Sequence, residues 1–236
     1  MNLIIVLFIL VISFLLIKNE KEHLTNNTRW LEYRLGDIIT GQCYRKKHER
    51  KYFNSIDKLY PGSIADEYIK NTNHLKKKRF YNYNILNNIV KERSKELKDL
   101  PKQDEVVIHL RIGDSIIGYK NGKFIYNERP KRFKSKTYAI KLESMDKILD
   151  DLSDVKKIIL IFGSHKNNNN KYNDLYLKEI EKLIKKRNII VEKKNSGNPD
   201  KDFLYMTNSR KFVKSNGMFS LIISKIIELN NGLIID

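Results

Sequence analysis

The run VVIHLRIGD, residues 106–114, sets three ionisable side chains, His109, Arg111 and Asp114, at the end of an otherwise apolar stretch. Buried charges are costly unless paired or engaged, so such a stretch must supply either an ion pair or a ligand. Further along, Ser215-Asn216-Gly217 opens the last apolar helical run, with Ser220 just inside it. The free N–H groups and positive dipole end of a helix suit a phosphate. Gly163-Ser164-His165 closes a third apolar run. A guanidinium, a helix N-terminus and small polar residues together suit an anionic, nucleotide-like ligand. Each residue also has a plainer reading: Arg111 pairs with Asp114, His109 is a satisfied core histidine, and Ser215 only caps a helix. All three plain readings would have to coincide at corresponding strand ends, which favours the ligand.

The elements around these residues predict how they are positioned. After Pro101 strand and helix alternate. EVVIHLR (105–111), KKIILIFGS (156–164), NIIVEK (188–193) and RKFVKS (210–215) read as strands. Residues 137–152, 174–186, 200–208 and 217–229 read as helices. The strands are continuous runs of Val, Ile and Leu, the pattern of a parallel sheet covered by helices on both faces. In such sheets ligands bind at the carboxyl ends of the strands, where the three clusters fall. The long basic and aromatic connection 112–136 carries Asn121-Gly122, a hairpin turn signal. From residue 19 to about 100 the chain reads as mostly helical, with a capping-box-like start at Ser63. The expected organisation is therefore a segment 1–18, a smaller and mostly helical region 19–101, and a Rossmann-like α/β domain 102–236.

Bulk composition narrows the function classes. The chain has 236 residues, 41% hydrophobic, with a formal net charge of +18. It can bury a sizeable core, and its charge fits an anionic partner or a plain lysine-rich surface. Cys43 is the single cysteine, which excludes an intrachain disulfide or a cysteine-held zinc, and the five histidines show no metal-ligand spacing. No metal or other cofactor is expected. Residues 3–17, LIIVLFILVISFLLI, are uncharged and apolar apart from Ser13, and KNEKEH follows. The segment reads as a signal-peptide core or a short signal anchor, and the lack of a small-residue cleavage site after Ile17 favours an anchor holding the chain to a membrane. Lys18 and Lys21 pull the following side toward the cytoplasm, whereas the sequon Asn26-Asn27-Thr28 has meaning only on a lumenal side.

The motifs resemble a known family. IHLRIGD resembles the HxRRGD motif of the GDP-fucose-dependent fucosyltransferases, especially the α-1,2-fucosyltransferases. DFLYMTNSRKFVKSNGMFS (202–220) resembles their second signature, DFxxM followed by a strand and SNSSFSWW. The resemblance covers residues 105–236 and implies the nucleotide-binding half of a GT-B type glycosyltransferase, inverting and metal-independent. It implies GDP-fucose as donor and a glycan as acceptor. Arg111 would hold the donor diphosphate; His109 and Asp202 would contact the guanosine; Ser215, Asn216, Gly217 and Ser220 would lie near the phosphates. Asp114, Asp37 and Glu128 are candidates for the base that activates the acceptor hydroxyl. The sequence departs from the pattern at Ile112, at Gly217-Met218, at Leu221-Ile222 and at His165, and LGDIITGQC (35–43) is a degenerate echo of the family's glycine motif. A membrane-anchored transferase of the secretory pathway is the leading expectation. A binding or scaffold protein that has lost transfer is the second. A single-strand nucleic-acid binder, with Tyr119, Phe124, Tyr126 and Phe133 between lysines, is the third, and the apolar N-terminus argues against it.

Overall fold

A computed structural model describes residues 35–39, 61–72, 82–128, 137–152, 154–163 and 171–236. Five strands form one parallel sheet: β1 (Glu105–Arg111), β4 (Lys157–Gly163), β5 (Ile190–Lys193), β6 (Lys211–Val213) and β7 (Leu233–Ile235). Their spatial order is β5-β4-β1-β6-β7. The chain thus builds outward from β1 in one direction, returns, and builds outward on the other side. That reversal places a switch point between β1 and β6, where loops leave in opposite directions and open a crevice. The architecture is the expected α/β one with a parallel sheet.

Strand alternation decides what each β1 side chain meets. Val106, Ile108 and Leu110 face one core with Ile158 and Leu160. That core is closed by α4 (Leu142–Asp150) and α5 (Lys171–Lys185). Val107, Ile159 and Ile161 face the other core, beneath α6 (Pro199–Thr207) and α7 (Met218–Leu229). Because successive side chains alternate faces, His109 and Arg111 share the face of Val107 and so meet α7.

The described helices of the N-terminal part join this second core. They are α1 (Leu35–Ile39), α2 (Ile64–Thr72) and α3 (Tyr83–Ser94). Leu35, Ile64, Tyr68 and Leu86 pack with Phe203, Phe212 and Ile223. Ser63 caps α2 as its sequence implies, taking the Asp66 N–H at 3.2 Å. The Ile64 N–H instead donates across the chain to Asp200 Oδ2 at 2.8 Å, in a buried position. A carboxylate on α6 thereby completes the first turn of a helix far away in sequence.

Two elements differ from the sequence expectation. The helix read over 137–152 starts only at Leu142. The Tyr138 carbonyl accepts from the Asn216 N–H at 3.1 Å, and the Ile140 carbonyl from the Tyr176 hydroxyl at 2.6 Å. Carbonyls engaged with other elements leave nothing for an extra helical turn. The edge strand β7 has no counterpart among the expected strands; its three residues follow Asn231-Gly232, with Asn231 in the left-handed region at φ 58°. The hairpin of β2 (Ile116–Lys120) and β3 (Lys123–Tyr126) is as expected, with positive φ at Asn121 and Gly122. Among the described residues no helix is long and apolar enough to cross a membrane. Residues 3–17, the sequon, Ser164, His165 and Phe133 lie outside them.

Replacing Asp200 by Ala leaves the buried Ile64 N–H without this acceptor. A loss of about 1–3 kcal/mol is expected, read in a thermal melt as a fall of roughly 3–10 °C. An unchanged melt would show that α2 does not depend on this bond.

Candidate functional site

Arg111 ends β1 at the switch point. Its Nη2 donates to Asp114 Oδ2 at 3.0 Å, with the side chains 16% and 32% exposed. The guanidinium lies over the Tyr138 ring, 4.3 Å from its centroid. Its Nε–H is buried and has no hydrogen-bond partner. A mostly buried guanidinium with one carboxylate and an idle N–H is an incomplete arrangement, because an unmet buried donor costs on the order of 1–3 kcal/mol. An anion in the crevice would complete it.

The turn that carries Asp114 is itself fastened. Gly113 adopts φ 75°, where a side chain would be strained. Its N–H donates to the buried Asn173 Oδ1 on α5 at 3.0 Å. The Ile112 N–H donates to the Gly163 carbonyl at 3.1 Å, which ties the same turn to the end of β4. Asp114 therefore reaches Arg111 from a rigid position.

On the other side of the crevice, the chain leaving β6 forms the start of α7. Gly217 is its N-cap and offers no side-chain cap, so the first N–H groups of the helix are not met by a capping side chain. A Cβ on Gly217 would lie 3.2 Å from Arg111 Nη1, so glycine here lets the helix start approach the guanidinium. A Cβ on Gly36 of α1 would lie 2.8 Å from the Phe219 backbone nitrogen. Two glycines thus bring a guanidinium and a second backbone segment up against one helix N-terminus, which has the positive end of the helix dipole. The sequence marks Gly36 only within LGDIITGQC, the degenerate echo of a glycine motif, and holds no signal of this contact.

His109 takes a supporting place. Its Nδ1 lies 2.8 Å from Ser215 Oγ and 2.5 Å from Ser220 Oγ, and the two hydroxyls are 2.9 Å apart. All three side chains are buried. The ring also packs edge-on against Phe219, with centroids 5.5 Å apart. This knot joins the end of β1 to both sides of the α7 start. The Ser215 hydroxyl serves it rather than acting as a helix cap. Asn216 is placed by its N–H bond to the Tyr138 carbonyl.

Asp202 occupies the same edge of the sheet, one turn into α6. Its Oδ1 accepts the Ser196 N–H at 3.0 Å, and Asn195 Nδ2 holds this loop to the Phe162 carbonyl at 3.1 Å. Burial pushes the Asp202 carboxyl above its ordinary pKa, partly offset by the Ser196 bonds and by the nearby Lys194 charge. Phe203 touches Phe219 at 5.8 Å between centroids, which links Asp202's helix to the His109 knot. Of the candidate bases, Asp114 is engaged by Arg111 and Glu128 is exposed beyond the hairpin, bridged through its backbone to Thr137. The side chain of Asp37 lies outside the described residues. Among the described residues no group of three or more His, Cys, Asp or Glu side chains could hold a metal.

Two outcomes test this geometry. Gly36→Ala drives a methyl into backbone that cannot yield, and should destabilise by about 1–3 kcal/mol, whereas Gly163→Ala, with open space around it, should not. Asp202 has its pKa raised in the folded state, so its contribution is best when both states are protonated, below about pH 4. Stability is then lost as pH rises through the folded pKa. Asp202→Asn keeps an acceptor for Ser196 and should be more stable than the parent at pH 7, with the difference vanishing in acid. Paired urea titrations at the two pH values read this, and a less stable variant at pH 7 would mean that the charge holds the fold.

No family model and no curated protein matches the chain. Two solved structures are similar in outline, POFUT1 in complex with GDP and POFUT1 in complex with GDP-fucose. The first aligns over 77% of this chain and 64% of that one, at 13% identity and a TM-score of 0.39. The second aligns over 79% and 66%, again at 13% identity, with a TM-score of 0.38. The chain spans a little under two thirds of the length of either.

Proposed function

We propose that the chain is a glycosyltransferase that binds a GDP-sugar in the crevice between β1 and β6, with GDP-fucose as the donor and a glycan hydroxyl as the acceptor. The observation that carries this reading is the buried, partnerless Nε–H of Arg111 beside the uncapped start of α7. A diphosphate is the ligand chemistry that meets both. Arg111 pairs with phosphate oxygens through a planar fork, and the helix N–H groups receive the rest of the charge. Asp202, a carboxylate held at the same strand edge, suits the N–H donors on the Watson–Crick edge of a guanine. The choice of fucose, and of an α-1,2-fucosyltransferase kind of enzyme, rests on the motifs HLRIGD and DFLYM…SNGMFS alone.

The chemistry follows from where charge develops. A base removes the proton of the acceptor hydroxyl, its oxygen bonds to the anomeric carbon from the face opposite the nucleotide, and the bond from that carbon to the phosphate oxygen breaks. Negative charge then grows on the leaving diphosphate. Arg111 and the α7 N-terminus are preorganised at that point and stabilise the departing group more than the intact donor. His109, Ser215 and Ser220 hold the two sides of the crevice together, and Gly217 permits the close approach. This scheme calls on no metal, because the guanidinium and the helix end supply the positive charge. Residues 3–17 would hold the enzyme to a membrane of the secretory pathway, with the catalytic part on its lumenal side.

A second reading is favoured by one observation: Asp114 is engaged with Arg111 rather than open to an acceptor. A protein that keeps the donor crevice but has lost transfer would show the same geometry.

Calorimetry on the full chain should detect GDP and GDP-fucose binding and no binding of UDP. Arg111→Ala should weaken GDP by at least about 30-fold, as expected when a charged partner of a desolvated phosphate is removed, with the melting temperature little changed. A folded wild type that ignores guanine nucleotides would sink the proposal, and unfolding of the variant would make Arg111 a structural ion-pair residue. Release of GDP from GDP-fucose, with or without a glycan, separates a transferase from a binding protein.

A further inference from the structure

We infer that Tyr138 is the positioning residue of the donor site, a clip whose ring holds the Arg111 guanidinium in line with the start of α7. This deepens the donor-binding reading above, on which its ligand half rests. The residue makes two kinds of contact at once. Its ring lies under the Arg111 guanidinium at 4.3 Å. Its carbonyl accepts the Asn216 N–H at 3.1 Å, in the loop between β6 and α7. One residue therefore touches both sides of the crevice, the guanidinium and the segment that leads into the helix N-terminus.

The segment that carries Tyr138 is held on both flanks. Thr137 pairs with Glu128 in an isolated bridge, and its hydroxyl donates to the Ala139 carbonyl at 2.8 Å. Ala139 and Ile140 are buried, and the Ile140 carbonyl takes the Tyr176 hydroxyl. The Leu142 N–H then donates to the Tyr126 hydroxyl at 3.2 Å. Tyr176 lies wholly inside the α5 core, where burial pushes its phenol pKa well up, so it stays a protonated donor throughout the neutral range. These bonds explain why the helix begins only at Leu142, and they fix where the Tyr138 ring stands.

A ring in this place does work that Asp114 cannot. Asp114 engages Nη2 only, which leaves the guanidinium free to turn about that contact. The ring fixes its plane from one face through the attraction of a cation for a π cloud. It competes for none of the N–H groups, so the donors Asp114 does not use are left for a ligand. A carboxylate or carbonyl in the same place would occupy them.

The test uses the full chain carrying Tyr138→Phe and Tyr138→Leu. Phe keeps the π face and the backbone bond to Asn216, and Leu keeps bulk and backbone but removes the π face. GDP affinity should stay within about twofold for Phe and fall roughly 5- to 30-fold for Leu, the range expected for a partly desolvated cation–π contact. A merely structural role would lower the melting temperature without separating the two variants in this order. A readout free of any ligand is the NMR position of the Arg111 Nε–H signal, assigned with Arg111→Lys. It should be shifted by the ring current in the wild type and in Tyr138→Phe and return toward the ordinary value in Tyr138→Leu. Wild-type affinity in the Leu variant, or an unshifted signal in the wild type, would overturn the clip. Should Leu fail to fold, the wild-type and Phe signals decide alone. A shifted signal in a wild type that binds no GDP would leave the clip standing and bring down the donor reading instead.

Discussion

A guanidinium largely withdrawn from water, with one carboxylate partner and one idle N–H, is the interaction around which the rest of the chain is arranged. Arg111 stands there because β1 is the strand at which the sheet changes direction. Its parity places it on the side of α7, and Gly217 lets the helix start come close. Asp114 compensates part of the charge. With the guanidinium mostly out of water, much of the pair's attraction is offset by the cost of desolvating the charge, and the pair alone does not explain a built site with a fastened turn, an aromatic ring and a glycine-lined approach. Those features suit a charge that is to meet another charge.

The His109 knot shows how such a site is held without occupying it. Hydrogen bonds among one imidazole and two hydroxyls contribute on the order of 1 kcal/mol each, and here they join β1 to the loop before α7 and to its first turn. They do so underneath the crevice, so the N–H groups at the start of the helix stay available. Helices α1, α2 and α3 add to the same end. They cover the α6–α7 face of the sheet and bring Gly36 against the Phe219 backbone, so the N-terminal part of the chain is built into the wall of the site.

Much of this organisation is legible in the sequence. Continuous apolar runs mark buried parallel strands, so EVVIHLR appears with its observed bounds, and Asn121-Gly122 marks the hairpin. The crevice follows from the rule that strand ends carry ligands, which already brings His109, Arg111 and Ser215 together. What stays hidden depends on contacts between distant residues. Nothing in TYAIKLES says that the first carbonyls bond to Asn216 and Tyr176, so helical periodicity carries the expected helix too far back. Tyr138 is invisible as a site residue for the same reason: its meaning comes from an arginine in another element. Gly36 falls in the degenerate glycine motif, but its contact is hidden, because a close approach needs only a missing side chain, which any surface glycine also has. The edge strand β7 is three residues long and is defined by its pairing with β6, not by a pattern of its own.

Stability and function can be separated residue by residue at this edge of the sheet. Asp200 and Asp202 lie two residues apart in the first turn of one helix, both carboxylates, both largely out of water. Asp200 accepts the first N–H of α2 and so joins two parts of the fold. Asp202 accepts a bond from a loop that is already tied to β4 through Asn195, while burial works against its charge. The first carboxylate has a structural role through Oδ2. The second would serve the fold as well with a neutral amide in its place. The same asymmetry holds between Asp114, whose charge is answered by Arg111, and Arg111, whose donors are only partly answered by Asp114. On the proposed reading, a ligand that carries both a diphosphate and a base with N–H donors would answer both of these charges, Arg111 and Asp202.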